Sequence, residues 1–244
     1  MKRISILSII AICLLQVSLF AQFGKKVVGN NKYITLRMDV ESYNKIVVSN
    51  VKATVVYLNK PDSANYVNVY GEENIVHLLD VSTNKQTLTI KNINMANTEH
   101  GLLMIYVYSP KIENIDLTGS VVFQTSEVMK RNEMKLAITG SGQIILPALE
   151  CNLLKVSLLT GSGDVLLKGN AEEARYSIVG GGEIRADGLV AQNATCKLIG
   201  NGNIGCHAVK LLKATLTGVG NIYYKGKPEI KSTIIGTGNL KPLF

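Results

Sequence analysis

The chain has no tryptophan, and aromatic residues make up only 6% of its 244 positions. The aromatics are not interleaved with basic residues, so a nucleic-acid surface is a poor fit. No Lys/Arg run is present either, and the formal charge of +8 is spread along the sequence. Such a mildly basic balance suits acidic glycans or anionic envelope lipids, but it serves equally as solubilising charge. No Pro- or Ser-rich linker divides the chain, which reads as one continuous domain. Helical periodicity is missing too; Val76-His77-Leu78-Leu79-Asp80 is the best candidate for a single turn. His77, His100 and His207 stand alone, without metal-type spacing, and no Gly-x-Ser-x-Gly elbow offers an activated serine.

The one long apolar stretch lies at the start. Met1-Lys2-Arg3 is a basic opening, Ile4 to Phe20 is apolar with a few polar interruptions, and Ala21 offers a small residue for cleavage. This is the pattern of a secretory leader over residues 1–21. A retained anchor would need about twenty uninterrupted apolar residues, so no transmembrane segment is expected after cleavage. Cys13 follows Ile12, not the small residue that a lipidated cysteine requires. Residues 22–244 remain, about 220 in number and long enough for a large core. Loss of Lys2 and Arg3 lowers the formal charge from +8 to +6. Cys151, Cys196 and Cys206 are left, and an odd count leaves at least one thiol unpaired. Cys196 and Cys206 are candidates for a bridge; three free apolar thiols are the competing state.

Against these absences stands one repeated feature. Gly119-Ser120, Gly140-Ser141-Gly142, Gly161-Ser162-Gly163, Gly180-Gly181-Gly182, Gly200-Asn201-Gly202, Gly218-Val219-Gly220 and Gly236-Thr237-Gly238 recur in the second half. The steps between first glycines are 21, 21, 19, 20, 18 and 18 residues. A period near twenty marks a solenoid, whose units bury their apolar faces only by stacking. Each unit has a short alternating run, the glycine pair, then a second short run, as in Lys155-Val156-Ser157-Leu158 and Asp164-Val165-Leu166-Leu167. These runs are rich in Ile, Val, Leu and Thr and too short for helices, so they read as strands. The expected fold is all-β, a parallel β-helix with coils of about 18–21 residues.

The glycine pairs set a register for the residues beyond them. Ile144, Val165, Ile184, Ile204, Ile222 and Leu240 fall at one position and read as a buried column. Gln143, Asp164, Glu183, Asn203, Asn221 and Asn239 fall one residue earlier and read as a polar ladder. Residues 22–118 lack the glycine pair but still alternate, as in Thr54 to Tyr57 and Tyr66 to Tyr70, and are expected to form less regular coils. Residues 119–244 carry the signature, although Gly119-Ser120-Val121 lacks its second glycine and is expected to be irregular. Both glycines of a pair are expected to hold backbone shapes forbidden to other residues.

Three chemistries have partial motifs in the sequence. Gly200-Asn201-Gly202-Asn203-Ile204-Gly205 matches a dinucleotide fingerprint, but no helix follows and no acid stands at the required distance. Only Asp164 resembles the acid of a calcium-binding roll, and one carboxylate does not make such a site. Asp164 and Glu183 lie in adjacent units, about 5 Å apart if the coils stack, near the spacing of a retaining glycosidase pair. A carbohydrate-active β-helix using Asp164 and Glu183, with Asp187, Lys168 and Arg185 nearby, is therefore the alternative to a binding protein. The amides elsewhere in that column favour a ladder.

Together these residues resemble the head GIN domain family of putative auto-transporter adhesins, found in exported proteins of Bacteroidetes-type bacteria. The resemblance runs from about Tyr43 to Pro242. It is carried by Tyr43-Asn44-Lys45-Ile46-Val47-Val48, Val67-Asn68-Val69-Tyr70-Gly71-Glu72, the Gly-Ser-Gly-Asp series and Ile222-Tyr223-Tyr224-Lys225-Gly226. It implies a right-handed parallel β-helix at the cell envelope, in the periplasm, outer-membrane-associated or on the surface. It brings no catalytic residue, cofactor or metal. The implied role is a non-enzymatic, adhesin-like binding module for an envelope or extracellular glycan or protein.

Overall fold

The computed structural model describes residues 26–59, 66–93 and 98–243. The leader expected over 1–21 and most of the Asn59-Lys60-Pro61-Asp62 turn lie outside them. The fold is all-β and forms a parallel β-solenoid of about six turns.

The regular part comprises β12 (Met129–Gly140), β13 (Gln143–Leu159), β14 (Asp164–Gly180), β15 (Glu183–Gly200) and β16 (Asn203–Gly218), closed by β17 (Asn221–Lys225), β18 (Glu229–Gly236) and β19 (Asn239–Pro242). The longest strands cover almost a whole coil and bend midway, where the pairing register slips, as between Leu146 and Leu149. Each coil pairs in parallel with the next, Ile144 opposite Val165, Val165 opposite Ile184, Ile184 opposite Ile204 and Ile204 opposite Ile222. The column expected from the glycine register is therefore real, and from Ile144 to Ile222 it is fully buried. Leu240 is only partly covered, because it sits in the last coil.

Inside the coils, volume is traded between neighbours. The second sheet, made of the strand segments that precede each glycine bend, stacks Val156, Tyr176, Cys196 and Ala214 in register. Tyr176 is fully buried, and the coils on its C-terminal side supply small residues, among them Ala191, Ala194, Cys196, Cys206 and Ala214. One large ring against several small side chains keeps the core at crystal-like density. The three described cysteines are free and buried. Cys196 and Cys206 touch side chain to side chain; that contact, followed by burial, drives the Cys196 thiol pKa well up. Burial lifts the Cys151 thiol to about 11.

The two glycines of a bend do different work. Gly161 has φ +92, and the first glycine of every other pair is also positive. Gly163 does not share this; its constraint is space, since a Cβ there would lie 2.9 Å from Cγ2 of Ile138. At Gly220 a Cβ would meet the Gly202 carbonyl at 2.1 Å. The second column is thus small because stacked backbones and core side chains close over it. The expectation that both glycines need special backbone angles holds in general only for the first.

The N-terminal part departs from sequential coils. β3 (Lys45–Ser49) and β4 (Thr54–Leu58) form one coil, joined by a bend in which Asn50 takes φ 56. Asn tolerates this left-handed shape and stands where later bends have glycine. The chain then reverses. β5 (Tyr66–Glu72) runs antiparallel to β2 (Tyr33–Asp39), and the single-turn helix α1 (Glu73–Val76) leads to β6 (Leu79–Asn84). The helical turn lies slightly earlier than expected, with His77 as its C-cap. β7 (Thr87–Asn92) and β9 (Met104–Tyr108) make a coil on one side of β3–β4, while β10 (Asn114–Gly119) and β11 (Val122–Gln124) stack on the other. β6 pairs antiparallel with β7, and β5 with β9, so the outer coil is covered. A small parallel pair, β1 (Val27–Val28) with β8 (Thr98–Glu99), lies apart.

Glu72 ties this end together. Its buried carboxylate accepts hydrogen bonds from the backbone N–H groups of Asn31 at 2.8 Å and Gly101 at 2.9 Å. Those bonds, Gly101 first, hold its pKa below the usual carboxylate value.

Candidate functional site

Because strand side chains alternate and the coils stack in register, every outward position repeats along the axis as a row. Three such arrangements bear on function.

The first is the polar ladder at the glycine corner. Gln143, Asp164, Glu183, Asn203, Asn221 and Asn239 pair in sequence, so Asp164 and Glu183 are adjacent as expected. Asn221 donates to Asn203 at 3.3 Å, and Asn239 donates to Asn221 at 3.3 Å. Asp164 is already committed. Gln143 donates to it at 2.8 Å, and Arg185 grips both its oxygens, Nε at 3.3 Å and Nη2 closer. The same guanidinium lies 3.9 Å from Glu183. Nearby, Lys225 pairs with Asp187 at 2.8 Å and, chiefly through that hydrogen bond, lowers its pKa. An acid/base pair needs an open reacting position between the carboxyl groups. Here one arginine occupies that place, and the adjoining hollow, lined by Glu183, Arg185 and Asp187, holds only about 220 Å³. Lys168 is exposed and joins none of these contacts.

The second arrangement is an open groove of about 670 Å³ across the mid-coil bend. Four coils contribute, through Lys130 to Asn132, Glu150 to Asn152, Asn170 to Glu172, and Val190 with Gln192. Asn152 donates to Asn132 at 2.7 Å, and Lys130 pairs with Glu150 at 2.9 Å. Arg131 is turned toward the preceding coils, donating to the Ile112 carbonyl at 2.7 Å and the Tyr57 hydroxyl at 3.0 Å. Apart from Cys151, none of these positions stands out in the sequence. They follow no glycine marker, and the register slips beside them hide their alignment.

The third is the outer face of the second sheet. Lys135, Lys155, Arg175, Thr195, Lys213 and Lys231 stand in one row. Four residues further along the strands, Thr139, Leu159, Val179, Ile199, Thr217 and Ile235 stand in another. Leu159, Val179, Ile199 and Ile235 are 37–61% exposed. Glu133 pairs with Lys155 at 2.7 Å and Lys135 at 3.3 Å, and Glu173 with Arg175 at 3.0 Å, so part of the positive charge is offset. The lysines look dispersed in sequence because they recur one coil apart. Counting back five or six residues from each first glycine finds them.

The remaining motifs take structural places. Gly200 to Gly205 runs from the end of β15 through the bend into β16, strand to strand, where a dinucleotide site needs a helix. Among the described residues no three His, Cys, Asp or Glu side chains cluster. The His100 ring nitrogen Nδ1 lies 3.0 Å from the Gly101 carbonyl oxygen. No helix among the described residues is long and apolar enough to cross a membrane.

A glycine-cornered solenoid with laddered exterior rows defines a class of scaffold, and comparison with known proteins places the chain within it. The chain belongs to the family described as "Putative auto-transporter adhesin, head GIN domain", whose pattern matches residues 42–228. A solved structure named a putative adhesin, from Bacteroides fragilis NCTC 9343, is 28% identical with a TM-score of 0.84, covering 89% of this chain and 100% of that one. Another, named a putative lipid binding protein, from Parabacteroides distasonis ATCC 8503, is 26% identical with a TM-score of 0.77, covering 90% and 100%. A putative adhesin from Parabacteroides merdae ATCC 43184 shares the fold at 24% identity and a TM-score of 0.73, covering 91% and 100%. No curated protein matches the chain.

Proposed function

We propose that the chain is exported through a leader at residues 1–21, and that residues 22–244 act as one non-enzymatic, adhesin-like recognition module of the cell envelope or cell surface. One observation carries this reading. Among the described residues the exterior polar groups repeat in rows along the axis and do not converge on a point, and the adjacent carboxylates Asp164 and Glu183 are engaged by Arg185. Rows suit an extended partner, whereas catalysis needs titratable groups gathered around one reacting bond. The adhesin names of the related structures support the same reading.

The test is a binding and turnover screen with the purified protein against envelope fractions and acidic and neutral polysaccharides. Saturable binding without product release is expected, and an Asp164→Asn, Glu183→Gln double variant should bind equally well. Product release that vanishes in the double variant would install a carbohydrate-active enzyme in its place.

The parallel basic and aliphatic rows favour a second reading, contact with an anionic lipid surface, and one related structure is named a putative lipid binding protein. Cations and apolar side chains on one face suit the headgroup layer. Vesicle co-sedimentation checks it. Salt-sensitive binding to anionic vesicles, weakened by Lys213→Glu, supports it, and equal binding to zwitterionic vesicles rejects it.

A further inference from the structure

We infer that the mid-coil groove is a binding site for a neutral, linear glycan strand, held in line with the solenoid axis. This rests on the reading of the chain as a binding module and names the ligand of one surface.

The lining chemistry narrows the ligand class. Lys130 and Glu150 pair with each other, Arg131 is turned toward the preceding coils, and Glu172 is the lining charge left without an ion-pair partner. A lone carboxylate repels an acidic ligand and leaves a neutral one unopposed. The floor is small, with Cys151 and Ala171 showing only a sliver of surface, so no large apolar or acyl group finds a pocket. Burial keeps the Cys151 thiol neutral. β13 and β14 are hydrogen-bonded to a neighbouring strand on both sides, so these two strands offer no free backbone edge to an added peptide strand.

What remains is a polar row, Asn132, Asn152, Glu172 and Gln192, with Asn170 beside it. Asn132, Asn152, Asn170 and Gln192 each present both donors and acceptors, the complement of the hydroxyl groups of a sugar. Asn132 and Asn152 spend one bond on each other and keep the rest of their capacity. The side chains of Asn170, Glu172 and Gln192 have no hydrogen-bond or ion-pair partner among the described residues. Asn132, Asn152, Glu172 and Gln192 succeed one another coil by coil, about 4.8 Å apart, with Asn170 in the row beside them, so a polymer of similar units is offered a hydrogen-bonding side chain at each step. With no aromatic platform in the groove, each sugar contributes little, and affinity accumulates with length.

Calorimetric titration of the purified protein with neutral cello-, manno- and malto-oligosaccharides of two to six units tests this. At least one series should bind with affinity rising tenfold or more from two to four units and levelling beyond, since four coils line the groove. Asn152→Ala and Gln192→Ala should each weaken binding about fivefold, the loss of one hydrogen bond. Both side chains lie at the surface, and an unchanged circular dichroism spectrum will exclude misfolding. Absence of binding in all three series, affinity independent of length, or indifference to both variants would overturn the glycan site. So would a preference for acidic oligosaccharides that falls with salt. In those cases saturable binding to envelope fractions would still uphold the module reading. Release of shortened oligosaccharides would instead overturn the module reading itself.

Discussion

At the N-terminal end the outermost coil, β7 with β9, is flanked by antiparallel strands β6 and β5. At the C-terminal end no described strand lies beyond β18 and β19. Every internal coil of a solenoid is covered by its neighbours, but a terminal coil exposes its inner columns and a row of unpaired backbone groups. The first end meets this by reversing the chain. Leu88, Ile90, Ile105 and Val107 are fully buried as a result. In the last coil Ile230 and Ile234 occupy inner positions in register with Leu212 and Leu216, yet are 40% and 43% exposed. The same side-chain type therefore contributes differently according to whether another layer of chain follows.

This contrast can be broken by substitution. Ile184→Ala in the middle of the buried column should cost about 2–5 kcal/mol in urea unfolding. Ile234→Ala, half covered, should cost less than half as much, because less apolar area leaves water there. Equal losses at the two sites would mean that the last coil is covered in solution.

The bends offer a second, smaller contrast. Gly161→Ala places a side chain at φ +92 and 2.4 Å from the Gly140 carbonyl, and should cost about 1–3 kcal/mol in thermal unfolding. Gly163→Ala meets a side-chain methyl, which can move, and should cost less. A larger loss at Gly163 would reverse the roles assigned to the two columns. In the N-terminal bend Asn50→Gly should change stability by no more than about 0.5 kcal/mol, since both residues accept a left-handed backbone.

Acid should loosen the covered end. Glu72 has a folded-state pKa below its unfolded value. Its contribution is therefore present above the unfolded carboxylate pKa and is lost as pH falls through the lower, folded one. Protection of the Asn31 and Gly101 amides against hydrogen exchange, taken relative to the unfolded chain at the same pH, should fall in that acid window. Glu72→Gln should remove the pH dependence, and persistence of the acid effect in this variant would assign it to another carboxylate.

The subtlest test concerns the ladder. Asn221→Ala breaks one bond to Asn203 and one from Asn239, and should cost about 0.5–1.5 kcal/mol because these side chains are partly solvated. No effect would reduce the ladder to a coincidence of register.

The glycine pairs determined much by themselves. They recur at nearly one coil length, and a strand inverts its side chains at every residue, so one marker per coil fixed which positions stack and which face the core. The buried run from Ile144 to Ile222 and the adjacency of Asp164 and Glu183 were legible for that reason. Where markers were missing, the reading stopped. Nothing local in Tyr66 to Tyr108 distinguishes a parallel coil from an antiparallel cover, because both alternate with period two, and only long-range pairing chose between them. Asn50 hid a bend by replacing glycine. The occupation of Asp164 by Arg185, the basic row and the amide groove likewise required the third dimension. Their members are about twenty residues apart in the chain and become neighbours only when the coils stack, so tertiary packing alone decided what the surface offers a partner.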